Sequence, residues 1–146
     1  MCRRSVGSCP GIPAIRHAHP IHLLSSLVFL LIKLFFLKEK FGYRTSLSRI
    51  YYAAHHLGRL LLTTVGLTPG QWRRDVHRRV LDELERHFVI TRRMSPRILR
   101  ILNLLRAYRI RADYELDVQI SESDVHDAVN RLETYIDECR RILGVI

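Results

Sequence analysis

Between residues 46 and 143 the apolar side chains recur at steps of three and four, and no stretch alternates apolar with polar. A helix turns once in about 3.6 residues, so this spacing gathers apolar groups into one stripe, whereas a half-buried strand needs a period of two. A chain patterned in this way buries its apolar surface helix against helix. The expected fold class is all-α, an antiparallel bundle of four to five helices with short connections. With 146 residues, 47% of them hydrophobic, there is material for one domain with a real core and not for a second independent fold.

The periodic segments have their own start and stop signals. In 46–65, Ile50, Ala53, Ala54, Leu57, Leu60, Leu61 and Val65 fall at helical steps, and Gly66 supplies a stop. Thr68 and Pro69 then form a start signal, because a hydroxyl can cap free amides and proline is tolerated in a first turn. The helix expected from it runs over 71–89, with Val76, Val80, Leu84 and Phe88 four apart. Ser95 and Pro96 repeat the signal for a helix to about residue 112, buried through Ile98, Ile101, Leu102, Leu105 and Tyr108. After a polar break over 113–119, Ser121 and Asp124 have the spacing of a capping box. The last helix buries Val125, Ala128, Val129, Leu132, Ile136, Cys139 and Leu143, and its acids precede Arg140 and Arg141, as the helix dipole favours.

Upstream of the bundle, residues 1–20 contain Gly7, Pro10, Gly11, Pro13 and Pro20 without an apolar period and read as a disordered leader. Residues 21–37 are an apolar run interrupted by His22, Ser25, Ser26 and Lys33. A secretory signal would end in a small-residue cleavage site, where this chain has Lys38, Glu39 and Lys40. Two readings of 21–42 stay open: an apolar first helix of the bundle, or a membrane segment, although a span usually needs about 20 apolar residues. The expected organisation is a leader over 1–20, the apolar segment over 21–42 and the bundle over 43–146. Cys2, Cys9 and Cys139 are too few and too scattered for a disulfide framework, which points to the cytoplasm. Membrane association through 21–37 is the alternative.

Charge narrows the partners. The chain has 24 basic and 14 acidic residues. Residues 46–111 hold 14 arginines against 4 acids, and 112–146 hold 3 arginines against 9 acids. Arg73, Arg74, Arg78, Arg79, Arg97 and Arg100 are the candidate nucleic-acid contacts, since guanidinium forks match phosphate and few acids are interspersed among them. No phosphate-cradling glycine loop, serine nucleophile elbow or zinc ligand set is present. Cys2, Cys9, His17, His19 and His22 lack the paired spacings of a zinc site, so neither metal nor cofactor is expected.

Two further segments carry a family likeness: Ser48-Arg49-Ile50-Tyr51-Tyr52-Ala53-Ala54-His55-His56 and Arg109-Ile110-Arg111-Ala112-Asp113-Tyr114. They resemble the small prokaryotic HEPN proteins, whose first long helix carries a Ser-Arg-x-Tyr-Tyr-Ala-Ala signature and whose third helix closes on Arg-x-x-Ala-Asp-Tyr. The likeness runs from about residue 38 to 143 and includes the order of helices and the Val76-His77 pair. The resemblance implies a helical bundle that usually dimerises, often beside a minimal nucleotidyltransferase. In the nuclease branch it implies a metal-independent RNase with an Arg-x4-6-His motif near the dimer interface, where the two side chains act on the 2′-hydroxyl and the scissile phosphate. Here Arg109 takes the arginine position, Ile110 replaces a polar neighbour and Tyr114 stands five residues on in place of histidine. Tyrosine, titrating near 10, is a poor base at neutral pH.

The candidate catalytic set is therefore Arg109, Tyr114, Asp113, His56 and Arg49. Arg49 and His56, seven apart, share a helix face and could bring a substitute histidine toward Arg109. Asp113 has a structural reading as a cap or as the partner of Arg111 or Arg49, and Tyr114 as a ring packed in the bundle with its hydroxyl bonded. His77 and His87 offer no better match to the motif. The expected function is an RNA- or partner-binding module of a toxin–antitoxin or defence-type system, a degenerate relative of a metal-independent endoribonuclease. The alternatives are a structural protein-interaction bundle or a membrane-attached one.

Overall fold

The computed structural model describes residues 42–144, so the leader and the apolar run over 21–37 lie outside the described residues. Within them the chain is a helical bundle without strands: α1 (Tyr43–Thr63), a 3-10 turn (Pro69–Gln71), α2 (Val76–Leu84) continued by a π turn (Glu85–Val89), α3 (Pro96–Tyr114) and α4 (Glu122–Leu143). None of these helices is long and apolar enough to cross a membrane.

The apolar stripes meet in one core. Leu47, Ile50, Tyr51, Ala54, Leu61 and Leu62 from α1 join Val80 and Leu84 from α2, Ile101, Leu102 and Leu105 from α3, and Val125, Leu132, Tyr135 and Cys139 from α4. α1 packs mainly on α3 and α4, and α3 also packs on α4. α3 runs antiparallel to both α1 and α4, which are therefore parallel to each other: Arg44 at the start of α1 reaches the end of α3, and Arg141 near the end of α4 donates to the Arg93 carbonyl just before α3. α2 lies on the middle of α1, where Gly58 permits a close approach; a Cβ there would stand 2.9 Å from Tyr135 Oη and 3.1 Å from Leu84 Cδ1.

The helix ends show which start signals act. Ser121 Oγ accepts from the Asp124 amide while the Asp124 carboxylate accepts from the Ser121 amide, so the capping box closes in both directions. Ser95 Oγ accepts from the Arg97 amide at 3.3 Å, and Gly144 terminates α4 in the left-handed conformation. The Thr68-Pro69 signal behaves differently. It opens a turn of three residues, after which Trp72 is extended and Asp75 sits at φ 48°. α2 therefore begins at Val76, five residues after the expected start, and the connection from α1 is longer than the short link expected. The break seats the Trp72 ring under the Arg79 guanidinium, 4.3 Å from the ring centroid.

Candidate functional site

The polar groups of the molecule concentrate where α1, α2 and α3 meet. On α1 the pairs Tyr51/His55 and Tyr52/His56 are each four apart and so stack one turn above the other, with Arg59 one turn beyond His55. On α3, Arg106, Arg109 and Asp113 fall at steps of three and four and form a second polar line. The first turn of α2 brings His77 against the α1 line.

Two anchors hold the arrangement. Tyr51, fully buried, shares a hydrogen bond of 2.8 Å with His77 Nδ1. Arg109 forms an ion pair with Asp113 at 2.6 Å, donates to Tyr52 Oη at 3.4 Å, and has its guanidinium carbon 5.7 Å and 5.4 Å from the Tyr52 and Tyr114 ring centroids. The Tyr52 ring thus lies between the two anchors, 6.1 Å from the His77 ring on one side and in contact with Arg109 on the other. His55 lies behind His77 with ring centroids 4.6 Å apart, and His56 stacks on Tyr52 at 6.5 Å.

The electrostatics have one sign. Burial and the neighbouring His77, His56 and Arg59 push the His55 imidazole down to about 4. His56 is lowered by burial and Arg59. His77 is lowered by burial and then by Arg109, Arg106 and Arg59, with His56 adding to them. All three imidazoles are accordingly neutral at pH 7. Burial pushes the Tyr51 hydroxyl up to about 12 despite Arg106 and Arg109, so it remains a phenol able to donate. Burial works against the charge of Arg109, yet Tyr52, Asp113 and Tyr114 more than offset it and keep the guanidinium firmly protonated. The site is a fixed cation beside three uncharged imidazoles.

Of the residues picked out from the sequence, the structure joins Arg109, Asp113, Tyr114 and His56. Asp113 pairs with Arg109 and not with Arg111 or Arg49. Tyr114 is 68% exposed and offers its ring to Arg109, where packing inside the bundle was expected. Arg49 is exposed on α1 and takes no part in these contacts. Tyr51, Tyr52, His55, His77, Arg59 and Arg106 were missed as site residues. The four-residue steps on α1 were a usable signal for His55 and Arg59, whereas His77 reaches the site only through packing of α2.

The six arginines singled out for nucleic acid are all exposed, in two groups. Arg73, Arg74, Arg78 and Arg79 lie just before and within the start of α2, around the residue that carries His77. Arg97 and Arg100 line a shallow groove between α3 and α4 with Asn130, Arg131 and Thr134. Arg78 faces Asp82 at 3.8 Å in an exposed pair, and Arg79 covers Trp72. Among the described residues no group of His, Cys, Asp or Glu is placed to hold a metal ion.

The four-helix order, the α1 signature and the close of α3 on Arg109 to Tyr114 meet a direct comparison: the model of the HEPN domain matches residues 32–142. The chain belongs to the HEPN family. The matched region takes in the whole α1–α3 site and most of α4, and it begins within the apolar run that precedes the described residues. Neither a curated protein nor a solved structure matches this HEPN chain.

Proposed function

We propose that this HEPN protein is an RNA-binding module that seats a backbone phosphate against Arg109. One observation carries the reading: the groups acting on the partly open His77 are Arg109, Arg106 and Arg59, joined by His56, while the Asp113 carboxylate is taken up by Arg109 itself. A folded protein that keeps Arg59, Arg106 and Arg109 around uncharged imidazoles, with Asp113 alone to balance them, has a site in excess of positive charge, which phosphate offsets. The exposed arginines before and within α2 extend the positive surface from the same place, so a strand held at Arg109 has further phosphate contacts within reach.

Cleavage would follow the metal-independent route implied by the family, with Arg109 stabilising charge on the phosphate. Tyr114 in the usual histidine position is a poor base, so the imidazoles available for proton transfer are those of α1 and α2. The wider setting proposed is a toxin–antitoxin or defence-type system in the cytoplasm, with a minimal nucleotidyltransferase as protein partner and a homodimer as the working form. A second reading, a bundle that holds a protein partner without RNA, draws on the exposed apolar side chains Ile110, Tyr114 and Leu116 at the end of α3.

The test is binding and cleavage of a single-stranded RNA by the purified chain in chelator across a salt series, beside Arg109→Ala and Arg106→Ala. RNA binding through arginines weakens steeply with salt, and each removed phosphate contact lowers the slope of log K against log salt by about 1. Absent or salt-insensitive binding would leave the protein-partner reading standing alone.

A further inference from the structure

His77 has one nitrogen bonded and one without a hydrogen-bond partner among the described residues. Nδ1 meets the buried Tyr51 hydroxyl at 2.8 Å, and the residue is half-buried, so the unbonded Nε2 is the nitrogen left for a ligand. In the neutral ring the phenol donates to Nδ1 and the ring proton sits on Nε2. In the charged ring Nδ1–H donates to the same oxygen, whose own proton rotates away. Tyr51 therefore completes a hydrogen bond to His77 in either protonation state, and burial together with the surrounding charge decides between them.

That charge comes from two helices. α1 presents Tyr51, Tyr52, His55, His56 and Arg59, and α3 presents Arg106 and Arg109, the latter already paired with Asp113. The free site repels a proton. A phosphodiester laid against Arg109 adds negative charge to a cluster in which three arginines face one carboxylate, and a unit charge in a partly buried site is worth several-fold in a protonation equilibrium.

Resting on the RNA reading above, we propose that His77 is an RNA-phosphate ligand whose engagement carries one proton from solvent onto its ring. The neutral ring already has Nε2–H to offer; the proton taken up on Nδ1 is shared with Tyr51 and makes the outer donor charge-assisted. One proton enters and not two, because His55 lies 4.6 Å behind, is 3% exposed and cannot charge beside a charged His77. The substrate class is a nucleic-acid diester, whose own charge is constant near neutrality.

The experiment is anisotropy titration of a labelled single-stranded RNA without terminal phosphates, at pH 6, 7 and 8 and one ionic strength, using the full chain. Proton uptake linked to binding tightens Kd as pH falls, by up to about tenfold per unit for a single proton. In His77→Gln, which retains hydrogen bonding and cannot be charged, binding persists and the pH dependence flattens. Tyr51→Phe, which conserves the buried ring, reduces it as well and serves if the glutamine variant folds poorly by circular dichroism. In NMR spectra the His77 ring resonance titrates at higher pH with RNA than without. A pH-independent Kd, or a dependence unchanged in both variants, overturns the proposal and leaves the RNA reading intact. Adenosine monophosphate displacing RNA at matched concentration would overturn the diester assignment in favour of a terminal phosphate. No RNA binding at any pH would overturn both readings.

Discussion

Arg44 shows how much one residue can fix. Its guanidinium donates to the carbonyls of Ala112 at 2.9 Å and of Glu115 and Leu116 at 3.1 Å, and also to that of Val118. These are the orphan acceptors that any helix leaves at its C-terminus, together with the turn that follows. Arg44→Ala should lower stability by about 2 kcal/mol, the scale of hydrogen bonds from a charged donor, read as a lower urea midpoint at constant m-value. Gly58→Ala is expected to destabilise by about 1–2 kcal/mol despite alanine's better helix propensity, because the added methyl meets the buried Tyr135 and Leu84. The histidines make a prediction in pH. Their folded values are depressed, so their contribution is complete above the unfolded value of 6.5 and is lost as pH falls toward the folded one, about 4 for His55. At pH 5 that residue alone should cost about 2 kcal/mol relative to pH 7.5, and His55→Gln should flatten a denaturation midpoint plotted over this window.

At the level of elements, α2 is the least regular helix and the most informative. It starts after Asp75 at φ 48°, ends through a π turn and closes at Arg92 with φ 59°, where the Arg93 and Met94 amides both return to the Phe88 carbonyl. A non-glycine residue in that region is strained, so Arg92→Gly should raise the unfolding midpoint by an amount worth about 0.5–1 kcal/mol. The helix is also where the sequence was hardest to read. α3 and α4 were legible because caps and periodicity agree in them, as at Ser121 with Asp124, and α1 by its periodicity without a side-chain cap. Thr68-Pro69 has the same local chemistry as Ser95-Pro96, yet it starts only a short turn, because Trp72 must turn back to pack beneath Arg79, a demand that no local signal encodes. The site divides in the same way. Arg109 and Asp113 are one helical turn apart and could be paired on paper, whereas Tyr51 and His77 are 26 residues apart and meet only once α2 is placed.

Across the whole molecule, the segregation of charge noted in the sequence survives folding. The arginines that precede and enter α2, with Arg97 and Arg100 of α3, lie on the exposed surface. Apart from Asp113 on α3, the acids of the last third lie on α4 and the loop before it, where Asp127 and Glu138 are paired with Arg131 and Arg141 on their own helix. A molecule with a positive body and a negative flank is attracted to rotated copies of itself. At low ionic strength, where the screening length reaches about 30 Å, that attraction spans the whole bundle, and concentrated solutions should turn cloudy. At about 0.15 M salt screening acts within about 8 Å, and turbidity at 350 nm should clear on adding salt and return on dialysis. Opalescence would then record the division of charge between α4 and the rest of the chain, before any ligand has been added.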